Sequence, residues 1–235
     1  MTRIVARDRT VAAALHDAVR KRTALDVTAP PAPRPFLAAA LSESGRPLLL
    51  VTSTYREAEQ LTAEVGSVIG DGQVAYYPAW ETLPHERLSP RSDIVGRRLA
   101  VLRRLVGNDP EPAPSVVVAP VRSILQPQVK DLGHMTPVRI TVGADLDLSD
   151  LARDLVDAAY TRVDLVERRG EFAVRGGILD VFPPTEEHPL RIDFFGDTVD
   201  EIRVFQVADQ RSTSDTRTEL VASPCRELLL TPEVR

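Results

Sequence analysis

Two short runs in this 235-residue sequence bring together residue types that do recognition chemistry. LVERRGEFAVRGGILDVFPP (165–184) sets Arg175 directly before Gly176 and Gly177. Strand alternation puts Phe172 and Val174 on one side and Glu171, Ala173 and Arg175 on the other. In LRIDFFG (190–196) the same period separates Ile192 and Phe194 from Arg191, Asp193 and Phe195. Phe195 therefore shares a face with two charged neighbours. Such a phenylalanine is either covered by another element, here a helix over 148–159, or waits for a partner. The partner reading has a chemistry of its own. Arginine and aromatic side chains dominate interface hot spots, and Gly170, Gly176 and Gly177 are corners where a foreign backbone can approach. On that reading Arg175, Arg191 and Phe195 form one exposed patch on the outer side of a sheet.

A second set is aromatic and basic. YYPAWETLPHERLSPRSD (76–93) concentrates the only tryptophan, two of four tyrosines and three prolines. Exposed aromatics beside arginines stack on nucleic-acid bases, and Arg97, Arg98, Arg103 and Arg104 follow closely. At helical spacing, however, Arg97 and Arg104 share a face while Arg103 points away from Arg97. That describes a solvated helix rather than a DNA-facing stripe. The plainer reading of 76–93 is a loop pinned by Trp80 and Leu83.

Nucleotide, metal and hydrolase chemistry lack their residues. The loop PPAPRP (30–35) follows an expected strand over 25–29 and precedes a helix over 36–45, the place for a phosphate in an α/β unit. A phosphate loop needs glycines, free N–H groups and Gly-Lys-Ser/Thr. Prolines 30, 31, 33 and 35 offer no N–H, no lysine is present, and Arg34 reads as solvated. HERLS places Ser89 where a zinc-binding His-Glu-x-x-His needs its second histidine, and His16, His134 and His188 are scattered. Gly-x-Ser-x-Gly is absent. The expectation is a chain that is no enzyme and holds no cofactor or metal.

The elements that must position these residues fall into two patterns. Helices over 10–22, 36–45, 54–65 and 92–106 alternate with strands over 25–29, 47–53, 73–78 and 115–120, as in βαβ units with a parallel sheet. In the last helix Val95, Leu99, Leu102 and Val106 face inward. From about residue 136 a strand (PVRITVG, 137–143) and an amphipathic helix burying Leu151, Leu155, Val156 and Ala159 precede strands over 165–175, 177–183, 190–195 and 201–207. Clustered strands of this kind suggest a separate α+β unit with an antiparallel sheet. DQRSTSDTRTE (209–219) reads as a polar linker.

With 43% hydrophobic and 27% charged residues the chain can bury a core and stay soluble. Its formal net charge of −5 makes the whole molecule no electrostatic trap for nucleic acid. The lone Cys225, the charged start MTRIVARDRT and the absence of about 18 consecutive apolar residues point to a cytoplasmic chain without a membrane span.

PAWETLPHERLSPRSDIVGRRLAVLRRL, RRGEFAVRGGILDVFPP and LRIDFFGDTVDEIRVFQVADQRS, in that order, resemble the bacterial transcription-repair coupling factors, the Mfd family. The resemblance implies the amino-terminal, UvrB-like region of that family. The implied fold is α/β, a degenerate P-loop helicase-like parallel-sheet domain with an inserted smaller α+β domain. Residues 1–135 would be domain 1a without an ATP site, 136–212 a UvrA-binding domain 2, and 213–235 the truncated start of domain 1b. The family's contact residues for UvrA fall on Arg175, Arg191 and Phe195. A damage-probing β-hairpin, present in UvrB, is missing between Pro78 and Arg97. The resemblance also implies that full-length members are ATP-dependent DNA translocases that displace stalled RNA polymerase at lesions. Their ATP and magnesium sites, and their contacts with polymerase and duplex DNA, would lie in domains absent from this chain.

Overall fold

The computed structural model describes residues 30–83, 86 and 88–229, with a few positions between 13 and 28. Most of the helix expected over 10–22, His16, His85 and the residues after 229 lie outside this set. The helices are α1 (Arg34–Ser42), α2 (Tyr55–Ile69), α3 (Ser92–Leu105), α4 (Val121–Leu125) and α5 (Leu148–Asp157). The strands are β1 (Leu48–Thr52), β2 (Val74–Tyr76), β3 (Val116–Pro120), β4 (Val138–Thr141), β5 (Thr161–Arg162) and β6 (Glu171–Arg175). There follow β7 (Ile178–Val181), β8 (Leu190–Phe195), β9 (Thr198–Phe205), β10 (Ser212–Arg217) and β11 (Glu219–Ala222). None of the described helices is long and apolar enough to cross a membrane.

The chain divides into two compact units, Met1–Ala79 with Arg104–Pro127, and Trp80–Arg103 with Gln128–Arg235. In the first, three parallel strands run in the order β1-β3-β2. All five positions of β3 are buried, as expected of a central strand in a parallel sheet. Ala38 of α1 and Ala58 and Val65 of α2 pack with Val74, Val116 and Val118. Thr54 caps α2 by accepting the Glu57 N–H at 3.2 Å. The strand expected over 25–29 is not formed at Asp26–Thr28, where Val27 is 57% exposed. Proline 30 just beyond it supplies no ladder donor and restricts its neighbour.

In the second unit six strands run β10-β9-β8-β7-β6-β5, antiparallel except where β5 joins β6. Leu151 and Leu155 of α5 are buried with Phe172, Leu179, Ile192, Ile202 and Val204. Asp147 caps α5 by accepting the N–H groups of Ser149 and Asp150 at 2.7 and 3.0 Å, and these bonds hold its carboxyl below the usual range. β4 and β11 form an antiparallel pair that adds Ile140 and Leu220 to the same core. Two expectations fail on α5 and α3: Val156 is 53% exposed and Val106, past the end of α3, is 46% exposed. The expected linker holds β10, paired with β9. Its side chains are polar on both faces, so only backbone bonds define it as a strand, at a sheet edge that charges protect.

Candidate docking face

The six-stranded sheet has two faces with different cover. Phe172, Leu179, Ile192 and the half-buried Phe194 belong to the main core. Ala173, Arg175, Asp180, Arg191, Asp193 and Phe195 lie on the other face by strand alternation and register. β9 carries one extra residue between Val199 and Glu201, where the register to β8 shifts. That bulge keeps Val199 and Ile202 both in the core and sets Glu201 opposite Asp193. At one end of the outer face Ala173 is sealed under Val166, Phe182 and Phe205. The other end is open, and there Phe195 is 84% exposed. Helix α5 packs with the core side instead, so the covered-phenylalanine alternative is excluded.

Asp180 organises the centre of this face. The register puts it opposite Ala173 and Arg191, and its side chain has no exposed surface. Arg191 closes on it with Nε to Oδ1 at 2.7 Å and Nη2 to Oδ2 at 2.9 Å. The third nitrogen, Nη1, donates to the Gln210 carbonyl at 3.1 Å, and the guanidinium carbon sits 4.8 Å from the Phe205 ring centre. The hydrogen bond to Asp180, opposed by burial, raises the Arg191 pKa above its ordinary value. Arg175 donates to the same carboxylate through Nη2. Further along, Arg203 pairs with Asp193 at 2.6 Å and Glu201 at 3.3 Å, and the hydrogen bond to Asp193 raises its pKa. The guanidinium groups of Arg175, Arg191 and Arg203 are thus all engaged by carboxylates of the same face.

All three expected site residues lie on this face, but not in equal states. Arg175 keeps 44% of its side chain exposed. Through Ile178 it is level with Asp193, one same-face step along β8 from Phe195. Arg191 departs from the expected exposure: only 14% of its side chain is accessible, because Asp180, Gln210 and Phe205 hold it. Asp180 itself was missed, although a lone charge inside the apolar run ILDVF is a legible signal. The turns beside the exposed pair pass through Gly176 and Gly196, both at positive φ (60° and 64°), which favours glycine.

The aromatic and basic set is arranged otherwise. Trp80 Nε1 donates to Glu227 Oε1 at 3.0 Å. Arg98, fully buried, donates Nε to the same oxygen at 2.5 Å and lies 5.1 Å from the Trp80 ring centre. Arg103 is also buried and reaches Ser223 Oγ at 3.3 Å. Arg104 donates to the carbonyls of Gly72 and Pro112 at 2.5 and 3.0 Å. Of the four arginines Arg97 alone is exposed, so α3 is not the solvated helix expected. Of the two residues expected to pin the loop, Trp80 anchors it through Glu227, whereas Leu83 is 41% exposed.

In the proline loop Arg34 begins α1 and pairs with Glu57 at 2.8 Å. Its charge is engaged within the chain rather than aimed at an anion. The Glu57 carboxyl is held below its usual range, chiefly by the Ser53 hydroxyl. Among the described residues no three His, Cys, Asp or Glu side chains are grouped to hold a metal ion.

The family model described as the UvrB interaction domain matches residues 138–227, which include all of the candidate docking face. The transcription-repair-coupling factor of Mycobacterium tuberculosis is 54% identical over 215 residues, covering 90% of this chain and 17% of that protein. Those of Bacillus subtilis and Escherichia coli are each 36% identical, over 84% and 72% of this chain and 16% and 14% of those proteins. The chain spans about a sixth of the length of these relatives. With two complementary matches running through its second unit, the chain belongs to the transcription-repair-coupling factor family.

Proposed function

We propose that this chain is the amino-terminal module of a transcription-repair coupling factor and that the outer face of its six-stranded sheet docks the repair protein UvrA. The observation that carries the reading is Phe195, 84% exposed at the open end of a face whose other large groups are covered or ion-paired. An exposed phenylalanine beside an arginine is an interface anchor rather than a fold requirement. The arginines of the face are already paired with carboxylates, which suits a protein partner better than a phosphate backbone. The match to the UvrB interaction domain supports the same reading.

On this proposal residues 136–212 form the docking domain, and the first unit is a helicase-like domain that has lost its nucleotide loop. Recruitment is the role of the module. DNA translocation and displacement of RNA polymerase belong to the remainder of the family's length.

The test is titration of the chain with purified UvrA. Truncating a hot-spot side chain costs about 2 kcal/mol or more, roughly thirtyfold in affinity. Phe195→Ala is expected to lose at least that much while its melting temperature stays with the parent, since an exposed substitution changes stability by about 0.5 kcal/mol or less. Wild-type affinity in a folded Phe195→Ala chain overturns the proposal.

A further inference from the structure

We infer that Asp180 is a positioning residue for docking and that Arg191 acts through it rather than by touching the partner. The inference rests on the docking reading above. A carboxylate without exposed surface on an otherwise open sheet face is unfavourable unless its oxygens are paired. Here both oxygens are paired, and both by arginines.

The two arginines are not equivalent. Arg191 directs Nε and Nη2 to Asp180 and Nη1 to the Gln210 carbonyl, and its plane lies against Phe205. With 14% of its side chain accessible, it has little left for a partner. Arg175 uses one nitrogen on Asp180 and stays 44% exposed, so its remaining donors are at the surface, where a carboxylate of the partner can take them. Arg175 also stands at a corner before two glycines, where a long side chain is mobile unless something holds it. Asp180, itself clamped by Arg191, holds it. Ordering such a side chain only on binding weakens association about threefold to tenfold.

A double-mutant cycle against purified UvrA tests this. Asp180→Asn keeps the shape and an acceptor oxygen but removes the charge that binds both guanidinia. It is expected to weaken UvrA binding about threefold to tenfold in the parent chain and less than about twofold in the Arg175→Ala background. If Asp180→Asn does not fold, Arg191→Lys replaces it in the cycle: the lysine keeps a positive charge near Asp180 but loses the two-pronged grip, and the same coupling to Arg175 is expected. Equal losses in both backgrounds, or no loss in either, overturn the inference. Phe195→Ala run alongside separates the two claims. If it binds UvrA at parent strength, the docking reading falls. If it fails to bind while the cycle is additive, only the role of Asp180 falls.

Discussion

Arg175 and Arg191 look alike in sequence, each followed closely by glycine or phenylalanine on a strand, yet burial gives them different consequences. Removing Arg191 leaves Asp180, a carboxylate with no exposed surface, with Arg175 as its remaining cation. Breaking a buried ion pair from one side costs about 3–5 kcal/mol. Because Arg175 still reaches the carboxylate, the lower end applies, and Arg191→Ala is expected to destabilise the second unit by about 3 kcal/mol. Arg175→Ala, at a side chain 44% exposed, is expected to cost less than about 1 kcal/mol. Urea unfolding followed by Trp80 fluorescence measures both. Equal stability of the two variants would show that the carboxylate is satisfied without Arg191. Loss of UvrA binding in Arg191→Ala is therefore no proof of contact, since that variant also disturbs the sheet beneath.

Among the elements, α3 is the one whose surroundings are most exacting. A Cβ added at Gly96 would lie 2.5 Å from Cβ of Pro184, just beyond β7. Alanine is the better helix former by about 1 kcal/mol, but a proline ring cannot swing aside and overpacking costs about 1–3 kcal/mol. Gly96→Ala is expected to destabilise by up to about 2 kcal/mol, while Gly72→Ala, with nothing within 4 Å of its added Cβ, should be neutral; matched urea curves settle the sign. The same helix marks what was legible in the sequence. Its inward Val95 and Leu99 followed from spacing, because helical period and burial are the same statement. That Arg98 and Arg103 are buried did not follow, since their partners Glu227 and Ser223 lie 129 and 120 residues away. On the docking face the split of Phe194 from Phe195 was legible from period 2. The burial of Arg191 was not, because Phe205 and Gln210 that hold it come later in the chain. β10 stayed hidden because an edge strand exposed on both faces has no apolar alternation to read.

For the whole molecule the electrostatics are decisive. The formal net charge is −5, and on the candidate docking face Arg175, Arg191 and Arg203 are paired with Asp180, Asp193 and Glu201. Of the arginines at 97, 98, 103 and 104, two are buried, Arg104 is bonded to two carbonyls, and Trp80 donates to Glu227 rather than offering its ring edge to a base. Duplex affinity comes largely from cations that displace counterions, with a slope of log K against log salt of about −0.9 per phosphate neutralised. With Arg97 as the exposed member of that group, its contribution to the slope should not exceed about −1 in magnitude, so Arg97→Ala and Arg104→Ala should change DNA binding little. A salt titration against duplex and single-stranded DNA, repeated with Arg97→Ala and Arg104→Ala, measures this directly. Tight, steeply salt-dependent binding that falls in either variant would move the functional surface from the sheet face to α3. Weak, flat binding unchanged by both removes α3 as a rival and leaves Phe195 and its arginine corner as the candidate surface for a protein partner.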